Sequence, residues 1–436
     1  MLTFVREFIM ARWLRQFKSR EKLERYQRHR MQAFKKRVLS RLPFYRDFAG
    51  LPFDCTPVVD KALTLQHFAD MNILGLGYAK GLALAQQGAC YQGVTVGCSS
   101  GTSGNRGLFM VTDDEREKWA GAILAKALPR KGVFRRHRIA LMLAAHSHLY
   151  DAANRSHRTT FRFFDLKQGL EAHLKALQDY QPTIIVGPAH VLGILADWTR
   201  NGELTIKPEK AIAGSEVLTP DLADRIAVAW GSPVHQIYQC TEGFLGITCE
   251  MGNLHLNEEY ILFEQEWIDK ERRAFNPIIT DFSRRTQAVV RYRMNDVLIA
   301  SPFPCPCGSP LMPIERIEGR MDDLLIFPSQ KTGWAILFPD AARAAILDAA
   351  PSATEFHLLQ TGPDRLELGI EGHVPQSEID AATAALGDGV EQAGGRRPSI
   401  HLTIYTPVID HTTKLRRIHR AFGDFEVHNG LSVRNK

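Results

Sequence analysis

At 436 residues, with 44% hydrophobic and 23% charged residues, the chain has the composition of a globular protein with a large buried core. Its length suits one big domain plus a smaller one. No apolar run approaches the roughly 20 residues needed to cross a bilayer, and Arg6, Glu7 and Arg12 break the stretch where a secretory signal needs an unbroken apolar segment. Stable membrane insertion is therefore not expected, and the cytoplasm is the default location. Seven cysteines, an odd number in a chain without an export signal, argue against a disulfide framework and leave metal binding or chemistry as roles.

The net charge of +6 is concentrated at the start, where residues 1–40 carry twelve Lys or Arg against three acidic residues. A stretch of this kind can touch nucleic acid or an anionic membrane surface. Phe4, Phe8, Trp13, Leu14, Phe17, Leu23, Tyr26 and Phe34 interleave with the cations, which favours amphipathic helices with a buried apolar stripe and a solvated basic face. Homodimerisation or a partner contact through these helices stays open. Nucleic acid is not expected, because no zinc-finger spacing, RNA-binding strand or helix-turn-helix signature is present.

In chain order, residues 1–45 form this basic helical lead-in, ending near Arg41-Leu42-Pro43, and the proline-bearing stretch 51–59 reads as an irregular connection. Residues 60–90 read as helix. From Gly93 the texture changes to short apolar runs, at 94–96, 139–143, 184–186 and 211–213, with helical segments at 113–128, 168–180, 189–201 and 219–229. Strands alternating with helices imply an α/β fold with a parallel sheet. After about residue 245 the strands crowd together. Beyond Gly319 a small α+β module follows, with helices at 339–349 and 376–386 and strands at 355–360, 365–370 and 399–405.

The densest chemical signal is Gly97-Cys98-Ser99-Ser100-Gly101-Thr102-Ser103-Gly104-Asn105-Arg106-Gly107, directly after the strand at 94–96. Its glycines and hydroxyls make a donor-rich loop able to wrap the oxygens of a polyphosphate. It is not a Walker A loop, since the Lys-Ser/Thr ending and the following helix are missing. Gly97 to Gly101 also satisfies G-x-S-x-G, the nucleophile elbow of a serine esterase acting through Ser99. An elbow turns straight from strand into helix, however, and each glycine at 101, 104 and 107 costs a helix about 1 kcal/mol. The esterase reading therefore ranks second.

Ser99 to Gly104 resembles the phosphate-binding signature of the adenylate-forming superfamily of acyl-CoA synthetases, amino-acid adenylation domains and luciferases. The Asn105-Arg106-Gly107 that follows resembles the phenylacetate–CoA ligase and coenzyme F390 synthetase branch. Further elements occur in the family's order, beginning at Val58-Val59-Asp60-Lys61. Ala213-Gly214-Ser215-Glu216-Val217-Leu218 is similar to the segment lining the adenine and acyl pockets. Tyr238-Gln239-Cys240-Thr241-Glu242-Gly243 looks like the Tyr-Gly-x-Thr-Glu signature, Arg291-Tyr292-Arg293-Met294-Asn295-Asp296 like Tyr-Arg-Thr-Gly-Asp, and Gly319-Arg320-Met321-Asp322-Asp323 like the hinge motif. Thr413-Lys414-Leu415-Arg416-Arg417 resembles the segment carrying the adenylation lysine, with Thr413 where glycine is usual.

The resemblance implies a large N-terminal domain of parallel and mixed sheets, residues 1–318, and a small α+β C-terminal domain, 319–436, with the active site in the cleft between them. It implies ATP-dependent activation of an aryl or arylalkyl acid as acyl-AMP, then transfer to coenzyme A, a carrier thiol or an amine. Ser99, Ser100, Gly101, Thr102, Ser103 and Gly104 would hold phosphates. Ser215, Glu216, Tyr238, Asp296 and Arg320 would meet adenine and ribose, while Thr241 and Glu242 would act at the reacting centre with Glu242 on magnesium. Lys414 would supply the catalytic cation and Asp322 the pivot. A degenerate nucleotide-binding member is the third reading, prompted by Thr413.

Cys305-Pro306-Cys307-Gly308, with Cys249 and His255 spaced C-x5-H upstream, offers three sulfurs and an imidazole, the donor set of a closed structural zinc site. Some relatives in the resembled branch carry a similar set. Cys98 and Cys240, within the nucleotide motifs, read as small fillers.

Overall fold

A computed structural model describes residues 2–99, 106–129, 135–143, 159–331, 333–404, 416–426 and 432–434. The chain forms two compact units, the first built from Met1–Gln265, Pro277–Met294 and Ala300–Glu315, the second from Glu266–Asn276, Asn295–Ile299 and Arg316–Lys436.

The first unit opens with α1 (Leu2–Ile9), which runs on through a π-helical turn at Met10–Leu14, and then α2 (Arg20–Arg37). The lead-in is therefore broken, since Ser19 caps α2 by accepting from the Lys22 N–H. Leu23, Gln27, Met31 and Phe34 make the buried stripe of α2. Trp13 and Leu14, expected in the buried stripe, are instead 46% and 64% exposed. Residues 60–90 are likewise interrupted, forming α3 (Lys61–Gln66), a 3-10 turn at Phe68–Met71 and α4 (Tyr78–Gln86).

Next comes a small antiparallel sheet of β1 (Cys90–Tyr91), β2 (Val94–Cys98) and β3 (Leu108–Thr112). The run at 94–96 thus belongs to a hairpin and not to the parallel sheet. An apolar alternation of this length carries no information about the partner's direction. A capping box between Thr112 and Glu115 starts α5 (Asp113–Ala127).

The parallel sheet has the order β5 (Thr159–Asp165), β4 (His137–Leu143), β6 (Ile184–Pro188), β7 (Lys210–Gly214), β8 (Val234–Cys240). The intervening helices are α6 (Leu174–Tyr180), α7 (Ala189–Arg200) and α8 (Pro220–Trp230). Because successive side chains point to opposite faces, Ala140, Met142, Ile185, Ala211 and Ala213 pack under α6–α8. Ile139, Leu141, Ile184 and Ile212 pack under α5 and α1, with Phe4 and Phe8 against them. Both faces are dry, which is why these strands read as continuous apolar runs. Each full burial of such a side chain contributes about 1.5–3 kcal/mol. α1 crosses α5 closely, and a Cβ at Gly121 would stand 2.6 Å from the Phe4 carbonyl oxygen. The Arg12 guanidinium then donates to the Ala125, Leu128 and Pro129 carbonyls at the C-terminal end of α5.

β9 (Gly243–Thr248) and β10 (Leu254–Leu256) extend the sheet antiparallel from β8. β11 (Ile261–Asp269), β12 (Ala274–Asp281) and β15 (Pro313–Arg320) each carry the chain from one unit into the other, while β13 (Tyr292–Arg293) pairs with the first-unit end of β12.

In the second unit, β14 (Asp296–Ala300) pairs with the start of β12, and β16 (Leu325–Pro328) with β17 (Trp334–Leu337). A four-stranded sheet has the order β20 (Ser399–Thr403), β19 (Arg365–Glu371), β18 (Glu355–Gly362), β21 (Ile418–Arg420). α9 (Pro339–Ala349) and α10 (Gln376–Gln392) cover one face through Ala342, Ile346, Leu386 and Val390. The chain is thus a mixed α/β protein with a large mixed-sheet unit and a smaller sheet-containing one. Among the described residues no helix is long and apolar enough to cross a membrane.

Candidate active site

The Gly/Ser/Thr loop connects β2 to β3, whose last pair is Cys98 with Leu108. Its neck is closed twice, by Ser99 N–H donating to the Gly107 carbonyl at 2.8 Å and Gly107 N–H donating to Ser99 Oγ at 3.0 Å. Ser100 to Gly104 lie outside the described residues. A strand–loop–antiparallel strand is not a nucleophile elbow. Ser99, which accepts a backbone hydrogen bond at the neck, is therefore not the exposed apex of a strand-to-helix turn. The esterase geometry is not present at this residue.

Thr241 and Glu242 form the two-residue tip of the β8–β9 hairpin, between the paired Cys240 and Gly243. They do not start a helix. A methyl group at Gly107 would stand 3.7 Å from Thr241 Cγ2, so the loop neck and this tip are neighbours. Gly107, Leu108, Thr241, Glu242, Arg284 and Tyr292 line one cavity. Burial, together with the adjacent Glu242 carboxylate to which it is hydrogen bonded, holds the Tyr292 phenol well above its usual pKa. Val59 bridges Tyr292 in parallel register, so the Val58–Lys61 segment is fixed beside the same residue.

The hairpin tip is held from behind. Arg284 Nη1 donates to the carbonyls of Thr241 and Glu242, both at 3.1 Å. Asp281, buried, accepts from the Ser283 N–H and hydroxyl; burial raises its pKa, and the Arg284 charge opposes the rise. Three residues after Arg284, Gln287 accepts from Met110 N–H at 2.9 Å and donates to the Leu108 carbonyl at 3.2 Å, tying the same segment to β3. Between them, Arg285 N–H and Thr286 N–H donate to Glu115 at 2.5 and 3.0 Å. One strip, 281–287, therefore positions both the loop's exit strand and the Thr-Glu tip.

At the carboxyl ends of β6 and β7, where open α/β sheets bind ligands, Ser215 has φ of 67°. That left-handed conformation is sparsely populated by non-glycine residues and concentrates at functional sites. Glu216 follows it and meets His190 Nδ1 at 2.7 Å and His190 N–H at 3.2 Å, at the start of α7. Tyr238 is buried in β8 opposite Gly246.

Asp296, Arg320 and Asp322 belong to the second unit. Asp296 opens β14, its carbonyl receiving Asn276 Nδ2 at 2.8 Å. Arg320 ends β15, and its N–H donates to Asp323 Oδ2 at 2.7 Å. Gly319 precedes it with φ of 147°, and a Cβ there would stand 2.9 Å from that carboxylate oxygen. Asp322 accepts from Asn295 Nδ2 at 3.1 Å. Asp323, not Asp322, caps the turn and pairs with Arg416. Lys414 lies outside the described residues.

Cys249, His255, Cys305 and Cys307 converge in the first unit, their four donor atoms all within 4.8 Å of one another. Cys249 Sγ is 3.8 Å from Cys305 Sγ, and Cys307 Sγ is 3.5 Å from His255 Nε2. A tetrahedron with zinc–sulfur bonds of about 2.3 Å and a zinc–nitrogen bond of about 2.05 Å has edges of about 3.8 and 3.5 Å, so these two edges fit. His255 Nδ1 lies 3.0 Å from the Leu311 carbonyl, which selects the tautomer that turns the Nε2 lone pair toward the sulfurs. The Asn253 side chain and the Ser309 N–H donate to Cys305 and Cys307 sulfurs at 3.3 and 3.5 Å, as thiolate ligands require.

Reading the sequence missed Arg284, Glu115, Gln287 and His190. Only one had a local signal, Thr112-x-x-Glu115, which is a capping box on its face. The other three act through partners distant in sequence.

No protein-family model matches the chain. Protein CapK of Staphylococcus aureus is 29% identical over 162 residues, 36% of this chain and 36% of that protein's length. Among solved structures, a 2-hydroxyisobutyryl-CoA ligase in the postadenylation state, in complex with 2-HIB-AMP, aligns over 92% of this chain and 90% of its own, with a TM-score of 0.67 at 18% identity. The amide bond synthetase McbA from Marinactinospora thermotolerans aligns over 75% of this chain and 68% of its own, at TM-score 0.53 and 12% identity. At these identities the likeness establishes the fold alone, which this chain shares with those two ligases.

Proposed function

We propose that this chain activates a carboxylic acid as its acyl-adenylate and passes the acyl group to a second acceptor. The observation that carries this reading is a cavity lined by Gly107 at the loop exit, the Thr241-Glu242 tip and Tyr292, in a chain that shares the fold of a CoA ligase. A carboxylate oxygen of the acid attacks the α-phosphorus of ATP, the bond to the β-phosphate oxygen breaks, and pyrophosphate leaves. The acceptor then attacks the acyl carbonyl and AMP leaves with the bonding pair.

In this scheme Ser99, Ser100, Gly101, Thr102, Ser103 and Gly104 bind the departing phosphates through N–H and hydroxyl donors. Glu242 is a hard oxygen ligand suited to magnesium, which when bound offsets the charge that builds between the two anions. Tyr292 holds that carboxylate's orientation, and Arg284 holds its backbone. Ser215, Glu216 and Tyr238 face adenine and acyl group, while Asp296 and Arg320 take the ribose hydroxyls. Lys414 brings a cation to the α-phosphate. Asp322 is the pivot between an N-terminal domain, 1–318, and a C-terminal one, 319–436. Zinc held by Cys249, His255, Cys305 and Cys307 is structural, pinning the ends of β9, β10 and β15.

The resemblance to phenylacetate–CoA ligases points to an aryl or arylalkyl acid. Of the named neighbours one is a CoA ligase and one an amide bond synthetase, which supports coenzyme A or an amine as the acceptor.

The test is incubation with ATP, magnesium and a panel of acids, trapping activated acyl groups with hydroxylamine while AMP, ADP and pyrophosphate are quantified. Acid-dependent AMP, pyrophosphate and hydroxamate are expected, and coenzyme A or amines added in turn identify the acceptor. ADP and phosphate as products would exclude the adenylate mechanism. Absence of turnover with every acid would favour the degenerate, nucleotide-binding reading.

A further inference from the structure

We infer that the N-terminal helix is a peripheral docking element for an anionic membrane surface. α1 and its π-helical extension are apolar on two opposite faces. The inner face packs through Phe4 and Phe8 against the core under the parallel sheet. The outer face exposes Leu2 at 89%, Val5 at 46%, Ile9 at 40% and Trp13 at 46%, followed by Leu14 at 64%. The spacing 2, 5, 9, 13 is one helical stripe. Five of the thirteen exposed large hydrophobic residues among the described ones thus fall within thirteen consecutive positions, whereas singly scattered exposed apolar residues are ordinary.

Charge decides what covers the stripe. Arg6 lies beside it, and Lys18 and Lys22 follow, all exposed, while the intervening Arg20 is paired with Glu24 and Glu258 and Glu21 with Arg25. The acidic residue of the helix, Glu7, is turned inward, where Arg15 and Tyr260 hold it at 2.7 Å each. The outward face therefore presents apolar groups with cations and no carboxylate of its own helix. A second copy of this face would bring the same cations against it, which opposes an isologous dimer. Nucleic acid would satisfy the cations and leave the stripe in water. Anionic lipid satisfies both, taking the aliphatic groups and Trp13 at the boundary of the acyl region and the cations among headgroups. The docked geometry leaves the core packing of α1 intact, so the whole first unit is carried to the surface without unfolding. This inference is independent of the proposed reaction.

The full chain is tested by co-sedimentation with vesicles of phosphatidylcholine alone and with phosphatidylglycerol added. Binding is expected only to the anionic vesicles, falling about tenfold in Ile9→Asp and in Trp13→Asp and weakening with Arg6→Glu and with added salt. Thermal midpoints should stay unchanged in Ile9→Asp and Arg6→Glu, whose side chains are exposed, and fall slightly in Trp13→Asp, whose ring also packs edge-on against Phe8 at 5.8 Å. Failure to bind anionic vesicles, or binding untouched by Ile9→Asp and Trp13→Asp, overturns the inference. A concentration-dependent dimer abolished by Ile9→Asp, without vesicle binding, overturns it in favour of self-association.

Discussion

Replacing Glu115 with alanine tests how the site is held together. The Glu115 carboxylate is 8% exposed. It accepts from Thr112 N–H at 2.9 Å, Thr112 Oγ1 at 3.0 Å, Arg285 N–H at 2.5 Å and Thr286 N–H at 3.0 Å, and from the Thr286 hydroxyl. Removing it orphans donors on two segments at once. A buried donor left unsatisfied costs about 1–3 kcal/mol, whereas the helix keeps its cap, because Thr112 Oγ1 still accepts from the N–H of residue 115. Allowing for partial hydration of the vacated space, Glu115→Ala should cost the first unit about 3–5 kcal/mol, among the larger effects of a single substitution.

The assay is urea unfolding followed by circular dichroism across a pH series. Burial raises the Glu115 pKa, but the hydrogen bonds from Thr286, Thr112 and Arg285 outweigh it and leave the group below its ordinary 4.5. A folded pKa below the unfolded one means that the carboxylate's contribution is complete above about pH 4.5 and is lost as pH falls through the folded value. The gap between wild type and Glu115→Ala should narrow on that limb. A cost under about 1 kcal/mol at neutral pH, or a gap that persists unchanged into acid, would refute the reasoning. Since the strip it anchors also carries Arg284, adenylation should slow in the same variant.

The remaining expectations address separate parts of the molecule. Burial, reinforced by the nearby Lys210 charge, depresses His235 from 6.5 to about 4, so the unfolded state binds the extra proton between those values. Stability should fall by about 3 kcal/mol as pH drops from 6.5 to 4, and His235→Gln should flatten that limb of the unfolding curve. Metal analysis of the purified chain should find one zinc per chain, lost in Cys305→Ser together with a drop in thermal midpoint; unaltered metal content would exclude these ligands. Arg284→Ala should lower kcat of adenylation more than it raises KM for ATP, with partial recovery by added guanidinium. Recovery would show that the guanidinium donors to the Thr241 and Glu242 carbonyls, and not the rest of the side chain, hold the tip. Gly121→Val should push against the Phe4 backbone, cost about 1–3 kcal/mol of overpacking and expose the segment around Arg12 and Arg15 to trypsin.

Much of the architecture was legible along the chain. The alternation of apolar runs with helical periodicity marks β4, β6, β7 and the helices α5, α7 and α8 to within a few residues, because a strand buried on both faces and a helix buried on one leave different local patterns. The same holds for α9, β18 and β19. The Cys/His set was visible because few residue types ligate metals, and the structure brings the four together.

What was not legible depends on partners that the local pattern does not encode. Val94–Cys98 has the same alternation whether its neighbour is parallel or antiparallel, so only the tertiary structure places it in a hairpin and removes the elbow geometry from Ser99. The outward face of α1 reads as core because hydrophobicity carries no direction. Glu115 looks like a helix cap until Thr286, 171 residues away, is brought to its carboxylate. Sequence alone determined which elements form and which chemical groups are on offer, since propensity and periodicity act over a few residues. The tertiary structure decided which of those groups meet, because a hydrogen bond or a buried charge exists only when two distant segments close on each other.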